Sequence, residues 1–140
     1  MPSLFTRIIQ RTMPAEIVYE TGAVIAFLDI FPATPGHTLV VPKREVSSFE
    51  DLPAEDLAAL MLSVQDVVRG VTRAMGTPHY NLRLNNGPAA GQVVFHIHFH
   101  VMPRFPGVSI QKVPLDPTQG REHAAKIRAA LQELGLPAIR

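Results

Sequence analysis

Apolar and polar positions alternate along this chain with two different periods, and the changes of period mark out its elements. In Ser3–Gln10, the residues Leu4, Phe5, Ile8 and Ile9 gather on one side at helical spacing, which predicts a short helical turn. Glu16–Glu20 and Val24–Ile30 are short apolar runs that predict strands, with Thr21-Gly22 as the hairpin turn between them. Thr38–Val41 is a third, β-branched run, fenced by Pro32, Pro35 and Gly36 before it and by Pro42 after it. The helical period returns over Pro53–Met75, where Leu57, Leu60, Met61, Val64, Val67, Val68 and Val71 form one broad apolar face. Pro53 suits the first turn, Glu55 and Asp56 complement the positive helix end, and Gly76 and Pro78 terminate it. His79–Asn85 and Val94–Met102 are two further strand candidates, joined by the turn Gly87-Pro88-Ala89-Ala90-Gly91, and a last helix is predicted over Arg121–Leu134. Short turns between most strand neighbours favour an α+β class: an antiparallel five-stranded sheet, one long helix packed on it and a C-terminal helix, in one domain spanning 1–140.

Composition narrows the partners. The 140 residues suffice for one hydrophobic core, and 46% hydrophobic against 18% charged residues is the balance of a folded protein. A net charge of +1 gives no reason to expect a nucleic-acid polymer, so phosphate recognition must be local, made by a few side chains and backbone amides. The chain has no cysteine, which excludes disulfides, thiolate zinc sites and a cysteine nucleophile and agrees with a reducing compartment. Met1–Ile17 carries Arg7 and Arg11 and no apolar run suited to a secretory signal. The longest apolar stretches, such as Val24–Leu28, fall far short of the ~20 residues that span a bilayer. A soluble cytoplasmic protein without a membrane partner is expected.

Three of the six histidines fall in the run His96-Ile97-His98-Phe99-His100. Side chains on a strand alternate, so the histidines share one face while Ile97, Phe99 and Val101 share the other. The apolar face suits the core under the long helix; packing asks for no histidines opposite it. At ~3.3 Å per residue the outer two α-carbons lie ~13 Å apart, so three collinear histidines do not easily converge on one tetrahedral ion, although a pair with a distant ligand could. Nucleophilic catalysis is the other chemistry open to them. A neutral imidazole, with a reference pKa of ~6.5, is available as a nucleophile at neutral pH. One ring nitrogen must point at phosphorus while the other carries the proton, held by an acceptor such as a backbone carbonyl two residues away. The imidazoles on either side could donate hydrogen bonds to phosphate oxygens, and phosphoryl-type transfer is carried mostly by such positioning and charge stabilisation.

The run His96-Ile97-His98-Phe99-His100-Val101-Met102 resembles the signature of the histidine triad (HIT) superfamily, in which three histidines alternate with apolar residues. Three further blocks carry the resemblance in matching order over roughly residues 4 to 104, leaving 105–140 as a C-terminal extension. They are Ala26-Phe27-Leu28-Asp29-Ile30-Phe31-Pro32, then Thr34-Pro35-Gly36-His37-Thr38-Leu39-Val40-Val41-Pro42-Lys43, and Asn85-Asn86-Gly87-Pro88-Ala89-Ala90-Gly91-Gln92. The resemblance implies that His98 is a nucleophile forming a nucleotidyl-histidine intermediate, and that the His96 carbonyl orients its second ring nitrogen. It places His100 and His37 near the α-phosphate, and Asn85 with Gly91, Gln92 and Val93 in the phosphate-contacting loop. Asp29 would bind the ribose hydroxyls, which fits a carboxylate's capacity for two hydrogen bonds from a cis-diol. Phe5, Phe27 and Ile30 would form the apolar slot for the base, although the two phenylalanines also read as plain core, Asp29 as a turn or ion-pair contact, and His37 as a turn residue. His79 and His123 match nothing and read as surface.

Two departures from the family pattern bear on chemistry. No cysteine pair stands in the N-terminal segment, where some relatives carry zinc ligands, so no metal and no other cofactor is expected. Val93 stands where phosphoramidase members often have a serine that relays a proton to the leaving amine. Valine cannot do so; either His100 or water protonates the leaving group, or the preferred leaving group is less basic. The resemblance thus implies a nucleotide hydrolase or nucleotidyl transferase acting on a purine nucleotide, adenine first, as an amidate, ester or dinucleoside polyphosphate. It also implies a homodimer, for which Val67, Val68 and the last helix offer apolar surface. A non-catalytic nucleotide-binding module of the same fold and a histidine metal site are the alternatives.

Overall fold

The computed structural model describes residues 2–139; Met1 and Arg140, the ends of the predicted 1–140 domain, lie outside the described residues. The chain opens with α1 (Leu4–Ile9), capped by Ser3, whose hydroxyl accepts a hydrogen bond from the Thr6 amide at 3.0 Å. Five strands follow in one antiparallel sheet: β1 (Ile17–Glu20), β2 (Val24–Leu28), β3 (Thr38–Pro42), β4 (Tyr80–Leu84) and β5 (Phe99–Pro103). Their spatial order is β1-β2-β3-β5-β4. Helix α2 (Ala54–Met75) connects β3 to β4, and α3 (Pro117–Glu133) closes the chain. This is the α+β arrangement of the sequence reading.

The central strands are buried on both faces, which is why they read as continuous apolar runs. On one face, Val24, Ala26, Val40, Ile97, Phe99 and Val101 pack against Leu60, Val64, Val67 and Val71 of α2 and Ala124, Ile127 and Leu131 of α3. On the other, Ile25, Phe27, Leu39 and Val41 pack beneath Phe5 and Ile8 of α1. A β-carbon at Gly70 would stand 2.6 Å from Leu131 Cδ2, so glycine there lets α3 lie directly on α2. Phe5 of α1 also reaches His96 and His98, which precede β5, so the helix borders the polar part of this face.

Five expectations change. Strand β5 begins at Phe99, not Val94, because β3 ends at Pro42, which has no N–H to continue the ladder. Pro53 sits at the N-cap of α2 rather than in its first turn. Helix α3 starts at Pro117, four residues before Arg121, behind the N-cap Asp116, whose carboxylate accepts from the Gln119 amide at 3.0 Å. On α2, Val67 belongs wholly to the core, whereas Met61 turns outward beside Leu62. His79 is exposed, but His123 is half-buried rather than on the surface.

Candidate functional site

The site is built on the sheet face under α1, where β3 and β5 run side by side. His37 enters it from a turn: its amide donates to the Thr34 carbonyl at 3.1 Å, across Pro35 and Gly36. Gly36 has φ +86, and a β-carbon there would meet Met75 Cγ at 2.7 Å, so only glycine lets the chain turn this tightly against α2. His37 is thereby buried, not a turn residue facing solvent. The Ala33 amide donates to His37 Nδ1 at 2.9 Å. That nitrogen must accept, so the proton of the neutral ring sits on Nε2, which donates to His100 Nδ1 at 2.9 Å. His100 in turn carries its proton on Nε2, a donor left over. Burial, and next the field of Asp29 acting against it, set His37 at about 4. Burial and then the neighbouring His98 lower His100 to about 3.

His98 has the opposite tautomer. Its Nδ1 lies 2.8 Å from the His96 carbonyl, which can only accept, so the proton is on Nδ1 and Nε2 keeps a bare lone pair. Burial lowers its pKa, which favours this neutral form. Its ring stands 4.9 Å from that of His100 and edge-on to Phe5 at 4.9 Å. His96 is fully buried and has both ring nitrogens engaged: Nε2 donates to the Pro42 carbonyl at 2.7 Å, and Nδ1 accepts from the Ser3 hydroxyl at 2.7 Å. The expectation that both flanking imidazoles donate to phosphate therefore fails for His96. Its ring ties α1 to the end of β3, and its contribution to His98 is the backbone carbonyl.

The remaining candidates surround this centre unevenly. One oxygen of Asp29 accepts from the Phe31 amide at 2.8 Å, and the other lies 3.6 Å from His37 Nε2. Phe5 and Phe27 meet edge to face at 5.3 Å and are almost fully enclosed in the core under α1. Ile30 and Phe31, at 57% and 53% exposed, supply the open apolar surface at this edge. Gly87 and Gln92 close the glycine-rich loop on itself: the Gly87 amide donates to Gln92 Oε1 at 2.7 Å, and the Gln92 amide donates back to the Gly87 carbonyl at 3.1 Å. Gln92 Nε2 donates to the Ser47 carbonyl at 2.9 Å, so its side chain is spent on holding the loop rather than on a ligand. Gly91, with φ +92, packs against the Asn85 amide group, and Val93 stands 82% exposed beyond it.

The HIT domain family matches residues 10–107. The chain belongs to the histidine triad (HIT) family. It is 44% identical over 104 residues to an uncharacterised HIT-like protein of Methanocaldococcus jannaschii, covering 74% of this chain and 80% of that one. It is 34% identical over 137 residues to an adenosine 5'-monophosphoramidase of Schizosaccharomyces pombe, covering 91% of this chain and 100% of that one. The crystal structure of a zinc-bound histidine triad family protein from Mycobacterium smegmatis matches with a TM-score of 0.85 at 36% identity, covering 94% of each chain.

A zinc ion does not suit this HIT protein's own donor set. Asp29, His37 and His100 each offer a donor atom within 4.8 Å of the others. The Ala33 amide, however, forces the proton of His37 onto Nε2, the nitrogen that faces the cluster, leaving it no lone pair for a metal. The sequence reading also missed residues that the fold recruits. Ser3 anchors His96, and Glu45 accepts from the Ser3 amide and, at 2.6 Å, from the Thr6 hydroxyl. The N-cap role of Ser3 was legible from its place before an apolar turn; its reach to a histidine 93 positions away was not. No helix is long and apolar enough to cross a membrane among the described residues.

Proposed function

We propose that this HIT protein is a hydrolase or nucleotidyl transferase that attacks the α-phosphate of an adenine nucleotide derivative with His98. The observation that carries this reading is the hydrogen bond from His98 Nδ1 to the His96 carbonyl, which leaves Nε2 unprotonated and fixed in direction. In the first step Nε2 forms a bond to phosphorus while the bond to the leaving group breaks and its electron pair departs with that group. The imidazolium so formed is stabilised by the same carbonyl. His100 Nε2–H donates to a non-bridging phosphate oxygen, and Asn85 with the Val93 amide serves the same phosphate, since the Gly91 and Gln92 amides donate to the Pro88 and Gly87 carbonyls within the loop. In the second step water, or another acceptor, bonds to phosphorus, the P–N bond breaks, one proton is released, and His98 returns neutral. Asp29 holds the ribose hydroxyls with the carboxylate capacity that the Phe31 amide does not use. The base lies along Ile30 and Phe31, on a floor that Phe5 and Phe27 support from below. A cysteine-free chain suits a reducing, cytoplasmic setting.

The test is a His98→Ala variant with single-turnover quench. Wild type should accumulate an acid-labile nucleotidyl adduct, and the variant should lose turnover by at least about 10³-fold while binding AMP within a few-fold of wild type. Turnover that survives the substitution would remove the mechanism; binding without any turnover in wild type would make the protein a nucleotide-binding module.

A homodimer belongs to the same reading, supported by β4. It is an edge strand, and Tyr80 and Leu82 on it are exposed together with Met61 and Leu62 of α2. Pairing two β4 strands about a two-fold axis would cover the strand edge and this apolar surface. Light scattering at micromolar concentration should give twice the chain mass; a monomer would contradict the pairing.

A further inference from the structure

Beyond His100 the same face carries two cations that the steps above leave unused. Arg83 on β4 is the register partner of His100 on β5. Directly opposed residues of an antiparallel pair project to the same face, so Arg83 rises from the face that carries the His100 imidazole. Lys112 arrives from the β3 side, on a strap of the C-terminal extension. The Gln111 amide donates to the Ala33 carbonyl at 3.1 Å, and the Leu115 amide to the Ile30 carbonyl at 2.9 Å. Lys112 is thus held next to Ala33, the residue whose own amide fixes His37. Both side chains are exposed. Among the described residues neither has a carboxylate within salt-bridge distance, which is true also of Arg7, Arg104, Arg121 and Lys126. Arg83 and Lys112, however, are the two whose positive fields reach His37 and His100, where they add to the burial that keeps those rings neutral. Two unpaired cations converging on a neutral histidine pair make a place for an anion.

The chemistry of the leaving group points the same way. His100 Nε2–H is committed to the phosphate under attack, and exposed Val93 has no proton to relay. With neither side chain free to protonate it, a leaving amine would depend on water for its proton. A phosphate chain is weakly basic and leaves as an anion, needing positive charge rather than a proton.

We propose that Arg83 and Lys112 form a subsite for the departing phosphate chain, so that the preferred substrates are adenine nucleotides whose α-phosphate bears further phosphates. The proposal rests on His98 as the nucleophile. As Nε2 bonds to the α-phosphorus, the bond to the α–β bridging oxygen breaks and its electron pair stays on that oxygen. The two cations take up the resulting charge. Water then releases AMP from His98, with one proton passing to solvent.

The experiment compares kcat/KM for diadenosine tetraphosphate and for the p-nitrophenyl ester of AMP, whose leaving group is also weakly basic but carries no phosphate. Arg83→Gln/Lys112→Gln should lower the ratio of the two values at least tenfold, each single change several-fold, and Arg83→Lys with Lys112→Arg should restore most of it. Equal losses on both substrates, or an unchanged ratio, would overturn the subsite. A binding arm separates this proposal from the nucleophile. In His98→Ala, ATP should bind more tightly than AMP, and the double Gln substitution should erase that advantage; an ATP-to-AMP affinity ratio that does not change overturns the subsite. If wild type turns over neither substrate, the nucleophile reading falls and the binding ratio alone decides the subsite.

Discussion

His96 and His100 stand two residues to either side of His98, carry the same side chain and face the same way, yet the fold uses them for opposite purposes. Each ring nitrogen of His96 is consumed, one by the Ser3 hydroxyl and one by the Pro42 carbonyl, and the side chain is sealed from solvent. His100 has one nitrogen consumed, by His37, and its other N–H remains available. The difference lies in the neighbours: a serine and a proline carbonyl close one ring, and a second histidine of fixed tautomer opens the other. An imidazole becomes a structural tie or a donor according to how many of its two nitrogens the fold satisfies.

The sharpest break of this comparison is His100→Ala. Removing one preorganised donor to the phosphate should lower kcat by about 10²–10³-fold, with a loss of stability, from the His37 N–H left without its partner, smaller than that of His96→Ala. A fall in stability with kcat preserved would reverse the roles assigned to the two rings. His96→Ala should do the converse. It leaves the Pro42 carbonyl and the Ser3 hydroxyl without partners and opens a void beside Phe5, which should cost about 2–4 kcal/mol in denaturant unfolding. Because the backbone carbonyl that holds His98 survives, kcat of the folded variant should stay within tenfold of wild type.

The last effect concerns pH. Burial holds His37 at about 4 and His100 at about 3 in the folded protein, while the unfolded chain titrates near the ordinary value of 6.5. Between these values the unfolded state binds more protons, so stability is fully present above pH 6.5 and falls as pH drops toward 4. Melting temperatures measured from pH 7.5 to 4.5 should decline, and a variant lacking both rings should show a shallower slope. A melting temperature that is flat across that range would contradict the neutral pair.

How far these features were legible depends on their range. The apolar face of α2 and the double-sided strands β2 and β3 follow from local pattern, because burial of a strand or a helical stripe leaves a periodic signature. Met61 and Val67 both read as part of the apolar face of α2, but the sheet and α3 meet the helix on the Val67 side, so Val67 is buried while Met61 is partly exposed. The start of β5 was overestimated by five residues, since alternation continues through His96 and His98 although the ladder does not: the Pro42 carbonyl is taken by an imidazole instead of an amide. The start of α3 was missed although Asp116-Pro117 is an N-cap and first-turn pair. There the local signal existed and the apolar rhythm, which sets in later, concealed it.

From the sequence alone came the family blocks, the placement of three histidines on one face and the absence of a proton-relaying group at Val93. These are matters of residue type and short spacing, which a linear chain carries in full. Only the tertiary structure decided which nitrogen of each ring holds the proton. The Ala33 amide, the Pro42 and His96 carbonyls and the Ser3 hydroxyl set those tautomers, and all except the His96 carbonyl come from segments far from the run in sequence. The same is true of Arg83 and Lys112, 29 positions apart by their numbers and brought toward His37 and His100 by strand register and a strap. A lone pair's direction is a three-dimensional quantity, and no residue's identity contains it.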